Sequence, residues 1–109
     1  MNTPETLAAL AEFRDERGWN EFHTLIALSR ALSIESSEIE KVFLWKKDDT
    51  ELSDEDRKNL KFELADVLTY AYNMCNQMNL DPNDIVMEKL AINKERHWKF
   101  EEDRNDRNH

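Results

Sequence analysis

Two pairs of carboxylates, Glu35 with Glu38 and Glu63 with Asp66, are the groups in this sequence best spaced to do chemistry. Each pair lies in a stretch with helical periodicity, where positions i and i+3 share a face, so each presents two acids to a common point. Around the first pair, Leu25, Leu28, Ala31, Leu32, Ile39, Val42 and Phe43 form one apolar arc at about 100° per residue. Glu35 falls inside that arc and Glu38 at its edge. An ionised carboxylate withdrawn from water is costly unless a cation or hydrogen-bond donors meet it. The second pair flanks another apolar stripe, made by Leu60, Leu64, Val67, Leu68, Ala71, Met74, Cys75 and Met78. Two helices meeting along these faces would gather four carboxylates. An all-oxygen set of this kind suits a hard divalent cation, Mg²⁺ above all where phosphates share the coordination. Acids at this spacing also occur on solvated faces, but two pairs beside two apolar stripes favour the metal. Those at 12, 16, 51, 54, 55, 56, 101 and 102 have no such relation to a core and read as solvated charge.

Other candidates surround the acids. Lys89, Asn93 and Arg96 make an i, i+4, i+7 stripe. It is either a wet face or, turned toward the acids, a source of cations and an amide for phosphate oxygens. Tyr70 lies one turn beyond Asp66 and Trp45 two turns beyond Glu38, so both can line one cavity with Trp19, Phe22 and His23. Aromatics there serve as core or as platforms for a nucleobase. His23 has no His or Cys partner at a metal-binding spacing. A single glycine excludes a phosphate-cradling glycine loop, and no nucleophile motif is present.

The elements that must hold these residues are helices. Thr3 as cap and Pro4 at the first position start one that stops near Gly18. The aromatic stretch 19–24 reads as a connection. Thr24 or Asn20 caps a second helix running to about Lys47, with Lys46 and Lys47 complementing its negative end. Ser53 and Asp56 open a third, about Asp54 to Asn79. Asp81-Pro82-Asn83-Asp84 opens a fourth that reaches about Trp98, leaving a charged, frayed tail at 101–109. The expectation is an all-α bundle of about four helices in one domain, 1–100, plus that tail.

Composition agrees. One Gly, two Pro and 36% charged residues in 109 suit long helices and disfavour strands. So short a chain buries a modest core, which homo-oligomerisation would complete. A net charge of −9 argues against a nucleic-acid partner, though a bound metal can still bring a small phosphorylated substrate into a pocket. The lone Cys75 cannot form an internal disulfide, and no apolar run is long enough to span a membrane. A soluble, cytoplasmic protein is the expectation.

Taken in order, these residues resemble a family. Glu35-x-x-Glu38 followed by Glu63-x-x-Asp66 looks like the signature of the MazG-like all-α nucleoside triphosphate pyrophosphohydrolases, and within them the dCTP pyrophosphatase branch. Phe13-Arg14-Asp15-Glu16-Arg17-Gly18-Trp19, Glu21-Phe22-His23-Thr24, Leu44-Trp45-Lys46, Leu64-Ala65-Asp66-Val67-Leu68-x-Tyr70 and Lys89-x-x-x-Asn93-x-x-Arg96 are similar to that branch's segments. The resemblance implies Mg²⁺-dependent hydrolysis of (deoxy)nucleoside triphosphates to monophosphate and pyrophosphate. It implies that Glu35, Glu38, Glu63 and Asp66 hold the metal and that Glu35 or Glu38 takes the proton of the attacking water. Trp19, Phe22, His23, Trp45 and Tyr70 would line the substrate site; Lys89, Asn93 and Arg96 would serve the phosphates or a subunit contact in a homodimer or homotetramer. The chain departs from the family where Leu25, Ile26 and Ala27 stand for Pro, a basic residue and Asn, and where Ser36 and Ser37 separate the first acids. Those departures bear on substrate contacts and base preference. The alternative is a non-catalytic helical interaction module whose acids bind a structural cation, and a third reading is a phosphohydrolase that releases phosphate from a related nucleotide.

Overall fold

A computed structural model describes residues 2–107, with side chains through 95. Four helices follow one another: α1 Thr3–Arg17, α2 Leu25–Val42, α3 Asp54–Met78 and α4 Pro82–Arg107, with short 3₁₀ turns at Asn20–Phe22 and Asp49–Glu51. No strand occurs among the described residues, as the composition requires. The centre is the antiparallel pair α2 and α3, and α1 lies against α3. Leu28 of α2, 2% exposed, is buried, as are Cys75 and Asn73 of α3.

The helix ends follow local chemistry. At the first start the cap is Asn2 rather than Thr3: its side chain accepts from the Glu5 amide at 3.0 Å while Glu5 reaches back to the Asn2 amide. Pro4 then sits inside the first turn, where its missing N–H costs nothing. Gly18 ends α1 at φ 66°, the left-handed region that favours glycine, and the Trp19 amide bonds back to the Arg14 carbonyl at 3.1 Å. That turn carries the aromatic connection back toward α2. Thr24 caps α2 through the Ala27 amide at 3.1 Å, and Asp81 caps α4 through the Asn83 and Asp84 amides. Asn76 ties α3 to α1 through the Leu7 carbonyl at 3.0 Å, and Asn83 ties α4 to the Thr3 hydroxyl.

Two boundaries differ from expectation. α2 stops at Val42, not near Lys47, and the chain turns through Phe43–Trp45 with Trp45 at φ 69°. A bulky residue there costs roughly 1–3 kcal/mol of backbone strain. Lys46 leaves the helix and pairs instead with Asp56 of α3 at 3.2 Å. α4 runs on past Trp98 to Arg107, so residues 101–107 continue a helix rather than fraying from it; 108 and 109 lie outside the described residues. Part of the α3 stripe is also not core: Leu64, Leu68 and Met78 are exposed, as are Val86, Met87, Leu90 and Ile92 of α4.

The start of α3 yields a pH prediction. Asp56 accepts from the Ser53 amide at 3.0 Å, and this bond, with Lys46 beside it, holds its carboxyl below the usual range. Because the folded-state carboxyl titrates lower than the unfolded one, its stabilisation is present above the ordinary carboxylate range and is lost as pH falls through the depressed value. Asp56→Ala should therefore melt at a lower temperature than the parent at pH 7, and the gap should narrow on acidification. A gap independent of pH would contradict this assignment.

Candidate functional site

Glu35 on α2 faces Glu63 and Asp66 on α3. Each contributes a carboxylate oxygen to a group lying within 4.8 Å of one another, the one such metal-compatible cluster among the described residues. α2–α3 packing makes this happen: Leu28 is buried two turns before Glu35, on the same face, so the acid points across the seam. Partial withdrawal from water, followed by the charges of Asp66, Glu63 and Glu38, pushes the Glu35 carboxyl up. The donor set fits a divalent cation, because these oxygens repel one another with no cation between them, and hard oxygen ligands are what Mg²⁺ takes.

Glu38 stands beside this group rather than within it. Its Oε1 accepts from Lys41 Nζ at 2.9 Å, an exposed i, i+3 pair that contributes little to stability and yields readily. Glu38 and Glu63 line a polar cavity of about 380 Å³ with Lys41, Lys46, Asp56 and Asn59.

Asp66 borders a second cavity of about 380 Å³ with a different character. α1 supplies Leu10 and Phe13, the connection supplies Trp19, Phe22 and His23, α2 supplies Ala27, Leu28 and Ala31, and α3 supplies Thr69, Tyr70 and Asn73. Trp19 meets Phe13 edge to face at 5.4 Å and stacks near His23 at 6.2 Å, so the Gly18 turn presents a rigid aromatic wall. His23 Nδ1 is buried with no partner, and burial, followed by the Arg14 charge, lowers the imidazole's pKa and favours its neutral form.

Four of the five expected aromatic-site residues, Trp19, Phe22, His23 and Tyr70, thus meet around one cavity. Trp45 does not join them. The early end of α2 throws it into solvent, 94% exposed. Lys89 and Asn93 are exposed on α4 and line neither cavity; the side chain of Arg96 lies outside the described residues. Sequence reasoning did not single out Lys41 or Asn59 of the polar cavity, nor, in the aromatic one, Asn73. Its signal was present: an amide at i+7 from Asp66 and i+3 from Tyr70, on the cavity-facing side of α3.

The chain is thus all-α, with a metal-compatible carboxylate cluster between an aromatic cavity and a lysine-lined one. The sequence matches the model of the MazG-like family over residues 31–108, and the chain belongs to that family. It is 35% identical over 91 residues to dCTP pyrophosphatase 1 of Homo sapiens, an alignment covering 80% of this chain and 54% of that protein. The Bos taurus protein of the same name is 33% identical over 91 residues. The chain therefore spans about half the length of the curated relatives it matches. A solved pyrophosphatase structure from Archaeoglobus fulgidus superposes with a TM-score of 0.79 at 32% identity, covering 85% of this chain and 89% of that one.

The crowding of acids gives a direct prediction. In the metal-free protein, Glu35→Gln removes one repelling charge and should raise the thermal midpoint above that of the parent. Added Mg²⁺ should raise the parent's midpoint and leave the variant's almost unmoved. A variant that melts lower without metal would show that the three acids do not strain the fold.

Proposed function

We propose that this protein hydrolyses (deoxy)nucleoside triphosphates between the α- and β-phosphates, giving a nucleoside monophosphate and pyrophosphate, and so clears unwanted nucleotides from the cytoplasmic pool. One observation carries the reading: the carboxylate cluster sits at the border of two cavities of opposite character. A base fits the aromatic one, on Trp19, Phe22, His23 and Tyr70. The terminal phosphates fit the polar one, where Lys41 and Lys46 are paired only with Glu38 and Asp56 and can turn to new anions. The bond between the α- and β-phosphates then falls at the acids.

Glu35, Glu63 and Asp66 would hold Mg²⁺. When bound, it supplies neutralising charge for the triphosphate and lowers the pKa of a water. Glu38 is the better placed general base, since Glu35 is drawn into the cluster while Glu38 is held only by the exposed Lys41. Release of Glu38 as Lys41 swings to phosphate would couple substrate binding to activation of the water. Membership of the MazG-like family and the names of the relatives support a triphosphate substrate, with deoxycytidine triphosphate the first to try. The exposed apolar side chains of α3 and α4 support a homodimer or homotetramer, in which Lys89, Asn93, Arg96 and Trp45 would serve the subunit contact or a neighbour's substrate.

Incubation with each dNTP and Mg²⁺, with products separated by anion exchange, tests this. The expected products are monophosphate and pyrophosphate, absent with chelator. Glu38→Gln should lower kcat by about a hundredfold or more while sparing cation binding, as expected for loss of a general base. Release of inorganic phosphate alone would establish the phosphohydrolase reading, and no turnover from folded protein the interaction module. Light scattering should give a dimer or tetramer; a monomer would remove the subunit roles.

A further inference from the structure

Asn73 is the one polar residue buried among those described, at 7% exposure, and it lines the aromatic cavity. No hydrogen bond joins its carboxamide to another described group, and its polar atoms are not sealed in the core; they open to the cavity. Leu10, Phe13 and Leu28 share that lining. The amide is thus free to pair with whatever enters the cavity, and a leucine of similar size in its place would break no hydrogen bond among the described residues. Its placement is also specific. Asp66, Tyr70 and Asn73 share one face of α3, and the seven residues from Asp66 to Asn73 span about 10 Å of helix. That is the reach from a phosphate held at the acids, across a sugar, to the far edge of its base.

We infer that Asn73 reads the edge of the substrate's base, its carboxamide donating and accepting at once. The inference rests on the reading of this cavity as the base site of a nucleotide enzyme. A carboxamide can pair with any base edge that offers an adjacent donor and acceptor. Amino and keto pyrimidines present that pair in opposite order, and rotation of the amide by half a turn serves both. Nothing in the structure fixes the direction, since no neighbour holds either atom of the amide. The site therefore takes cytosine-like and uracil-like bases with similar affinity, and Asn73 supplies affinity for a base without choosing between the two.

Calorimetric titration with dCMP, dUMP and 2-deoxyribose 5-phosphate, which lacks a base, tests this without requiring turnover. The parent should bind dCMP and dUMP within about tenfold of one another. Asn73→Leu should weaken both by about tenfold or more and leave the base-free phosphate unchanged, while melting no lower than the parent. Asn73→Ser, which keeps a polar group but loses the paired geometry, should show the same loss. Equal weakening of all three ligands, unchanged binding of the two nucleotides, or a parent preference beyond about a hundredfold for one of them would overturn the inference. A parent that shows this pattern yet hydrolyses no triphosphate would sink the hydrolase reading and uphold the role of Asn73.

Discussion

Repulsion among Glu35, Glu63 and Asp66 is the interaction the rest of this molecule is built to withstand. Their oxygens are held within 4.8 Å of one another by the seam between α2 and α3, which is the most extensive helix–helix contact in the fold. Apolar burial at Leu28, and caps at Thr24 and Ser53, hold that seam against the charges. The Glu35 carboxyl is pushed up first by its partial withdrawal from water and then by these neighbouring acids. A fold that spends stability on concentrating negative charge gains it back when a cation binds, because whatever binds only the folded state stabilises it.

The same seam divides the surroundings by chemistry. On one side α1 and the Gly18 turn bring Phe13, Trp19 and His23 over α3, giving a cavity with flat aromatic walls. On the other, the early end of α2 carries Lys46 away from the helix axis to Asp56, leaving two lysines around a polar cleft. The strained turn at Trp45 is thus what permits the lysine-lined side to form. On the proposed function, base, α-phosphate and terminal phosphates would each meet an environment suited to them, in the order in which they are joined in a nucleotide.

Much of this was legible in the sequence because it rests on local rules. Glu35 within an apolar arc announced a carboxylate facing a helix partner, and Gly18, Thr24, Ser53 with Asp56, and Asp81-Pro82 marked helix ends by their own hydrogen-bonding chemistry. What was not legible depends on tertiary position. Lys46 and Lys47 look like the last turn of a helix, and no Gly or Pro warns that Phe43–Trp45 turns first. Glu38 has the same spacing as the other acids, and only the tertiary arrangement shows that it stands beside their cluster with Lys41 as its partner. Asn73 carries the polarity of a surface residue, and only the packing of α1 over α3 shows that it faces a cavity.

The central claim is that the packed carboxylates form a divalent cation site, and Mn²⁺, a hard cation that reports its own binding in electron paramagnetic resonance, tests it most directly. Titration of the metal-free protein should show Mn²⁺ taken up in a fixed ratio to protein chains, displaced by Mg²⁺, and lost in Glu63→Gln although that variant stays folded. Mn²⁺ that remains free in the presence of the folded parent, or that binds Glu63→Gln equally well, would contradict the account.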